Sequence, residues 1–139
     1  MTTEMIHEPL EITLEDAKVW AKHLARDMDV PRIKWIGLIP KNGEFAGAYG
    51  AGTITFAGRI TLQTLLHEFA HHVHQCRLGK PLKRAHAVGF HRICFEIRDL
   101  VAALYGLDLI GINGYEHTEG FAQALDEWVL AHREMKKAA

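Results

Sequence analysis

Residues 61–79 read TLQTLLHEFAHHVHQCRLG, and the five at the centre, His67-Glu68-Phe69-Ala70-His71, form an H-E-x-x-H pattern. Leu62, Leu65, Leu66, Phe69, Ala70 and Val73 recur at helical spacing and make one apolar stripe. Thr61 is placed to cap the start of this helix, and Gly79 and Pro81 to stop it. Residues four apart on a helix are offset by roughly 40° around the axis and about 6 Å along it. The imidazoles of His67 and His71 therefore reach one metal ion, with Glu68 beside them to hold and deprotonate a metal-bound water. His74 lies a further turn along, too far to join the same tetrahedron. His72 points roughly 100° away from His71 and reads as a surface or outer-shell group.

Working outward, Thr13 with Asp16 three positions on resembles a capping box, and Leu14, Ala17, Ala21, Leu24 and Met28 give the inner stripe of a first helix broken at Pro31. Residues 1–11 read as loose. Residues 32–39 alternate as a strand, with Ile33 and Trp35 set against Arg32 and Lys34. Asn42-Gly43 is a hairpin-type turn, followed by the Gly-rich segment 46–52 and a short strand around Thr53–Ala57. After a connection over 78–85, Phe90, Ile93, Cys94, Ile97, Val101 and Leu104 mark the buried face of a third helix ending at Gly106, and His91 reads as exposed. Residues 106–117 form an irregular loop. Thr118 caps a last helix whose Phe121, Ala124, Leu125, Trp128 and Val129 face inward, with Lys136-Lys137 near its negative end. One α+β domain spanning 1–139, with a helix, a short antiparallel sheet, the motif helix and two more helices, is the expected architecture.

Composition narrows the function classes. The 139 residues are 48% hydrophobic, enough for one real core. A net charge of −1 and a pI near 6.8 point away from non-specific binding to nucleic acid or membranes. The basic residues Arg59, Lys83-Arg84 and Lys136-Lys137 read as solvated surface. No apolar run approaches membrane-spanning length, and MTTEMIHEPLE is too charged for a signal peptide. Cys76 and Cys94 are too far apart for a C-x-x-C pair, so the expectation is a reduced, cytoplasmic protein.

A catalytic zinc usually takes three protein ligands and leaves one position open. Two residues compete for the third place. His86 lies in His-Ala-Val-Gly-Phe at the start of the third helix. The string HEFAHHVHQCRLGKPLKRAHAVGF (67–90) resembles the SprT-like zinc metallopeptidases of the zincin class, whose H-E-x-x-H is followed after a dozen or so residues by H-G-x-x-F/W. The resemblance covers about residues 50–107. Ala87 stands where that family usually has Gly, and the cysteine-rich zinc ribbon of many members is absent, so nothing carries over about DNA-linked substrates. Glu119 is the other candidate. Tyr115 and Glu119-Gly-Phe-Ala-Gln resemble the Tyr…Glu-x-Phe-Ala string of lethal-factor-like peptidases, in which that Glu completes the metal site and the Tyr assists.

The resemblance to zincins implies one zinc ion on His67, His71 and His86, with Glu68 as general base in hydrolysis of peptide or protein substrates. Tyr115, His117 and Tyr49 are candidates to stabilise the oxyanion, and Thr53-Ile54-Thr55-Phe56 is a candidate edge strand for aligning an extended substrate. Other hydrolases with H-E-x-x-H fit less well. Peptide deformylases need an upstream cysteine ligand, and no cysteine precedes Cys76. Ribonucleases of the rRNA-maturation type need a third His at the position of Arg77. A binding module keeping zinc for structure alone would have no use for Glu68.

Overall fold

The computed structural model describes residues 2–41, 43, 45–79 and 85–138. Asn42, Lys80, Pro81 and Lys83-Arg84 lie outside the described residues, as do the side chains of Lys136 and Lys137. The elements run β1 (Glu4–Ile6), α1 (Leu14–Asp27), β2 (Trp35–Ile39), β3 (Gly47–Gly50), β4 (Thr53–Ala57), α2 (Leu62–Leu78), α3 (Val88–Tyr105), β5 (Leu107–Leu109) and α4 (Glu119–Ala138). This is a small α+β fold. Among the described residues no helix is long and apolar enough to cross a membrane.

The helix ends follow local chemistry. Thr13 Oγ1 accepts the N–H of Asp16, and Glu15 and Asp16 place negative charge at the positive end of α1. Thr61 Oγ1 accepts from Thr64 N at the start of α2. Gly79 and Gly106 end α2 and α3 in the left-handed conformation, φ 70° and 71°, a backbone state that glycine enters without a Cβ clash. Thr118 Oγ1 accepts from Phe121 N in the first turn of α4.

Helix α2 runs through the centre. Leu62, Leu65, Leu66, Phe69 and Val73 are buried against Ile54 and Phe56 of the sheet, Ala17, Ala21 and Leu24 of α1, and Phe90, Ile97 and Val101 of α3. At roughly 1.5–3 kcal/mol per fully buried aliphatic or aromatic side chain, this stripe holds α2 in place. Helix α4 covers α3, with Trp128 stacked on Phe95 and donating to Asp99, and Arg92 paired bidentately with Glu127.

The sheet departs from the expected antiparallel form. Its order is β2-β4-β3, with β3 antiparallel to β4 but β2 parallel to β4 (Trp35 opposite Thr53, Ile39 opposite Ala57). The cause is the position of the tight hairpin. It lies at Ala51-Gly52, both with positive φ (51° and 82°). Two successive left-handed residues suit a two-residue hairpin. The turn folds β4 back between its two predecessors, so β3 takes the edge and Thr53–Phe56 becomes the central strand.

Three further expectations are corrected. Residues 4–6 are not loose: β1 pairs in parallel with β5, which lies inside the segment read as an irregular loop. Two strands of three residues carry too little alternation to show in sequence. On β2 it is Ile36 and Gly37 that are buried, while Trp35 is exposed with its ring folded over Gly37. Leu104 is exposed near the end of α3.

Candidate metal centre

His67 and His71 project from one face of α2 with ring centroids 5.1 Å apart. His86 comes from the segment just before α3, and its Nε2 lies 3.0 Å from Nε2 of His71. One nitrogen from each of the three imidazoles falls within a set whose members are all within 4.8 Å of one another. In a tetrahedral zinc site with Zn–N of about 2.0–2.1 Å, ligand nitrogens stand roughly 3.3 Å apart. The three side chains can therefore hold one metal ion.

Their surroundings fit that task. The Nδ1–H of His67 donates to the Ile112 carbonyl at 2.8 Å, which leaves its Nε2 lone pair for the site. Gly114 of the same loop lies against this ring and takes a left-handed backbone, φ 62°, that favours glycine. Phe90 is fully buried and touches all three rings: stacked on His71 at 4.2 Å, and edge-on to His67 and His86 at 5.0 Å. That contact explains the aromatic four residues after His86. Tyr115 lies flat on the other side of His86, with centroids 3.8 Å apart. Burial, reinforced by neighbouring histidines, pushes His71 down to about 3 and His86 to about 4. Burial also lowers His67, partly offset by its bond to Ile112. Neutral rings are the form that binds metals.

Glu68 follows His67 and points into the same cleft. It is buried, its Oε2 has no hydrogen-bond partner, and desolvation raises its carboxyl to about 7. Glu68 lines the same cleft as the three imidazoles, and a buried carboxyl with one orphaned oxygen and a raised pKa there marks a candidate functional group. Strand β3 forms the facing wall of a cleft of about 640 Å³. It comes this close because residue 47 is glycine: a Cβ there would meet Thr64 Cγ2 at 2.9 Å and Glu68 Cγ at 3.4 Å.

The structure separates the two third-ligand candidates. His86 joins the cluster. Glu119 is exposed at the first position of α4 and is not among the converging groups. Helix α4 does begin close by, with Gly120 packed against the backbone of Val88.

Three histidines outside the cluster are buried, among them His72 and His91, which read from sequence as an outer or exposed group. His74 packs near Gly89 and stays out of the cluster. His91 faces inward on α3, with Asn113 Nδ2 donating to its Nδ1 at 3.2 Å. Asn113 of the loop before α4 covers His91, while His74 lies beside Gly89 and Phe90 of α3.

The third, His72, donates from Nε2 to the Pro31 carbonyl at 2.6 Å, so its Nδ1 accepts from the Tyr49 hydroxyl at 2.9 Å. The same hydroxyl accepts from Gly52 N at 3.1 Å. The Tyr49 proton is thus committed away from the cleft, which removes Tyr49 as an oxyanion donor. Its hydroxyl instead pins the β3–β4 turn to α2. Replacing Tyr49 by Phe strands His72 Nδ1 and the Gly52 N–H. We expect about 1–3 kcal/mol of lost stability in denaturant titration with metal content unchanged. Unaltered stability would contradict this role.

Comparison of the chain with protein-family models, with curated proteins and with solved structures returned no match.

Proposed function

We propose that this protein is a zinc-dependent peptidase whose metal rests on His67, His71 and His86 and whose general base is Glu68. The observation that carries the reading is the convergence of three neutral imidazoles in a cleft that is also lined by the buried Glu68 and walled by the edge strand β3. An all-nitrogen set of three histidines suits zinc with one open position. A zinc ion bound there supplies Lewis acidity to a carbonyl and lowers the pKa of a coordinated water to about 7.

The chain's own groups do the rest. Glu68 takes the proton from the attacking water and passes it to the departing amine, work suited to a carboxyl that burial holds near the operating pH. The outer edge of β3 offers backbone N–H and C=O groups to an extended peptide, which pairs with it as an added strand. That role belongs to Gly47–Gly50 in place of Thr53–Phe56. Tyr115, whose ring lies on His86 at the cleft wall, is our candidate to donate to the oxyanion.

The direct experiment offers an unfolded protein to the zinc-loaded enzyme and reads new termini by mass spectrometry. Cleavage is expected, with loss on chelation and recovery on zinc addition. The absence of new termini with fully loaded protein would overturn the peptidase reading.

A further inference from the structure

A second pocket, of about 610 Å³, adjoins the metal cleft and shares Phe45, Ala46, Gln63 and Thr64 with it. Among the described residues the only charged side chains lining it are Lys41 and Arg59. They are brought to the same mouth by Gly58, over which Lys41 packs: a Cβ on residue 58 would stand 3.2 Å from Lys41 Cβ. Among the described residues neither cation forms an ion pair. Two unneutralised cations in one concave site attract an anion.

The geometry also fixes where that anion sits on a substrate. Gly47 lies beside Thr64 and Glu68, and Tyr49 beside His72, so β3 runs in the same direction as α2. Antiparallel pairing is the more stable of the two modes. A peptide paired that way on β3 runs back toward the start of α2, and its residues after the scissile bond reach the second pocket. From the level of His67 and His71 to that of Thr61–Thr64 is about 10 Å along the helix. This equals roughly three residues of extended chain.

We infer that this pocket is a carboxylate subsite, in which Lys41 and Arg59 select peptides carrying an acidic group a few residues beyond the scissile bond on its C-terminal side. The inference rests on the peptidase reading for its substrate and adds a substrate class to it. Either an acidic side chain or the free C-terminal carboxylate of a short peptide supplies the required group.

Binding tests the subsite without relying on turnover. Fluorescein-labelled extended peptides are titrated by anisotropy against zinc-loaded full-length protein carrying Glu68→Gln. Three peptides of one neutral sequence are compared: a C-terminal amide with Gln, the same amide with Glu in its place, and the Gln peptide with a free carboxylate. At least one carboxylate peptide is expected to bind about tenfold more tightly than the neutral one, as two partly exposed ion pairs allow. The advantage should shrink with added salt and vanish in Lys41→Ala/Arg59→Ala. The peptide that shows it identifies the source of the carboxylate. Equal binding by all three, no measurable binding by any, or an advantage that survives the double substitution overturns the subsite. In the active enzyme, cleavage products should show acidic groups on the C-terminal side. Lys41→Glu/Arg59→Glu should shift that preference to Lys and Arg, whereas an acidic preference on the N-terminal side contradicts the assigned direction. Selective carboxylate binding with no cleavage of any peptide would sink the peptidase reading and leave the subsite standing.

Discussion

Glu68→Gln is expected to keep its metal and lose peptide cleavage by about 10²–10⁴-fold. That loss corresponds to roughly 3–5 kcal/mol on the barrier. The amide has nearly the shape of the carboxyl and fits the same space against Gly47 and Thr64. It cannot take a proton from water at neutral pH. Folding should not suffer, because the native carboxylate oxygen is buried without a partner and desolvation already disfavours its charged form. The decisive comparison is therefore turnover against zinc content in the same preparation. Cleavage at the wild-type rate with zinc bound would remove Glu68 from the chemistry. Loss of zinc together with activity would show a ligand or folding role instead.

The second large effect concerns the third ligand. His86→Ala is expected to weaken zinc binding by more than the roughly 100-fold that loss of an outer hydrogen-bond partner costs, because it removes a coordinating nitrogen. Glu119→Ala should leave zinc content unchanged, since that carboxylate is exposed and outside the cluster. Competition with a chelator of known affinity measures both. The reverse pattern, with Glu119→Ala losing metal and His86→Ala retaining it, would transfer the third position to α4.

Much of this arrangement was legible in the chain because it is local. The helix through His67 and His71 announces itself by its apolar stripe, its Thr61 cap and its Gly79 stop, and each appears in the structure with the expected hydrogen bond or backbone conformation. The Thr13 cap of α1, the Gly106 end of α3 and the Thr118 bond at α4 follow the same local rules. His86 was legible only through its distance from the motif and through Phe90. Why Phe90 belongs there became plain from its contacts with all three rings.

What escaped depends on contacts between residues distant in sequence. The parallel pairing of β2 with β4 follows from the turn at Ala51-Gly52, where alanine in a left-handed conformation gives no compositional signal. The burial of His72 and His91 depends on Pro31 and on Asn113, each supplied by a segment that shows no regular pattern. The same holds for Ile112, whose carbonyl orients His67 from 45 residues away. Arg59 read as plain surface, because its pocket exists only once Gly58 brings Lys41 alongside it.

X-ray absorption at the zinc edge of the loaded protein probes the ligand set itself. The arrangement requires three imidazole nitrogens at about 2.0–2.1 Å with a light fourth donor, and one imidazole fewer in His86→Ala. A spectrum showing sulfur ligation, or one unchanged by removal of His86, would contradict it.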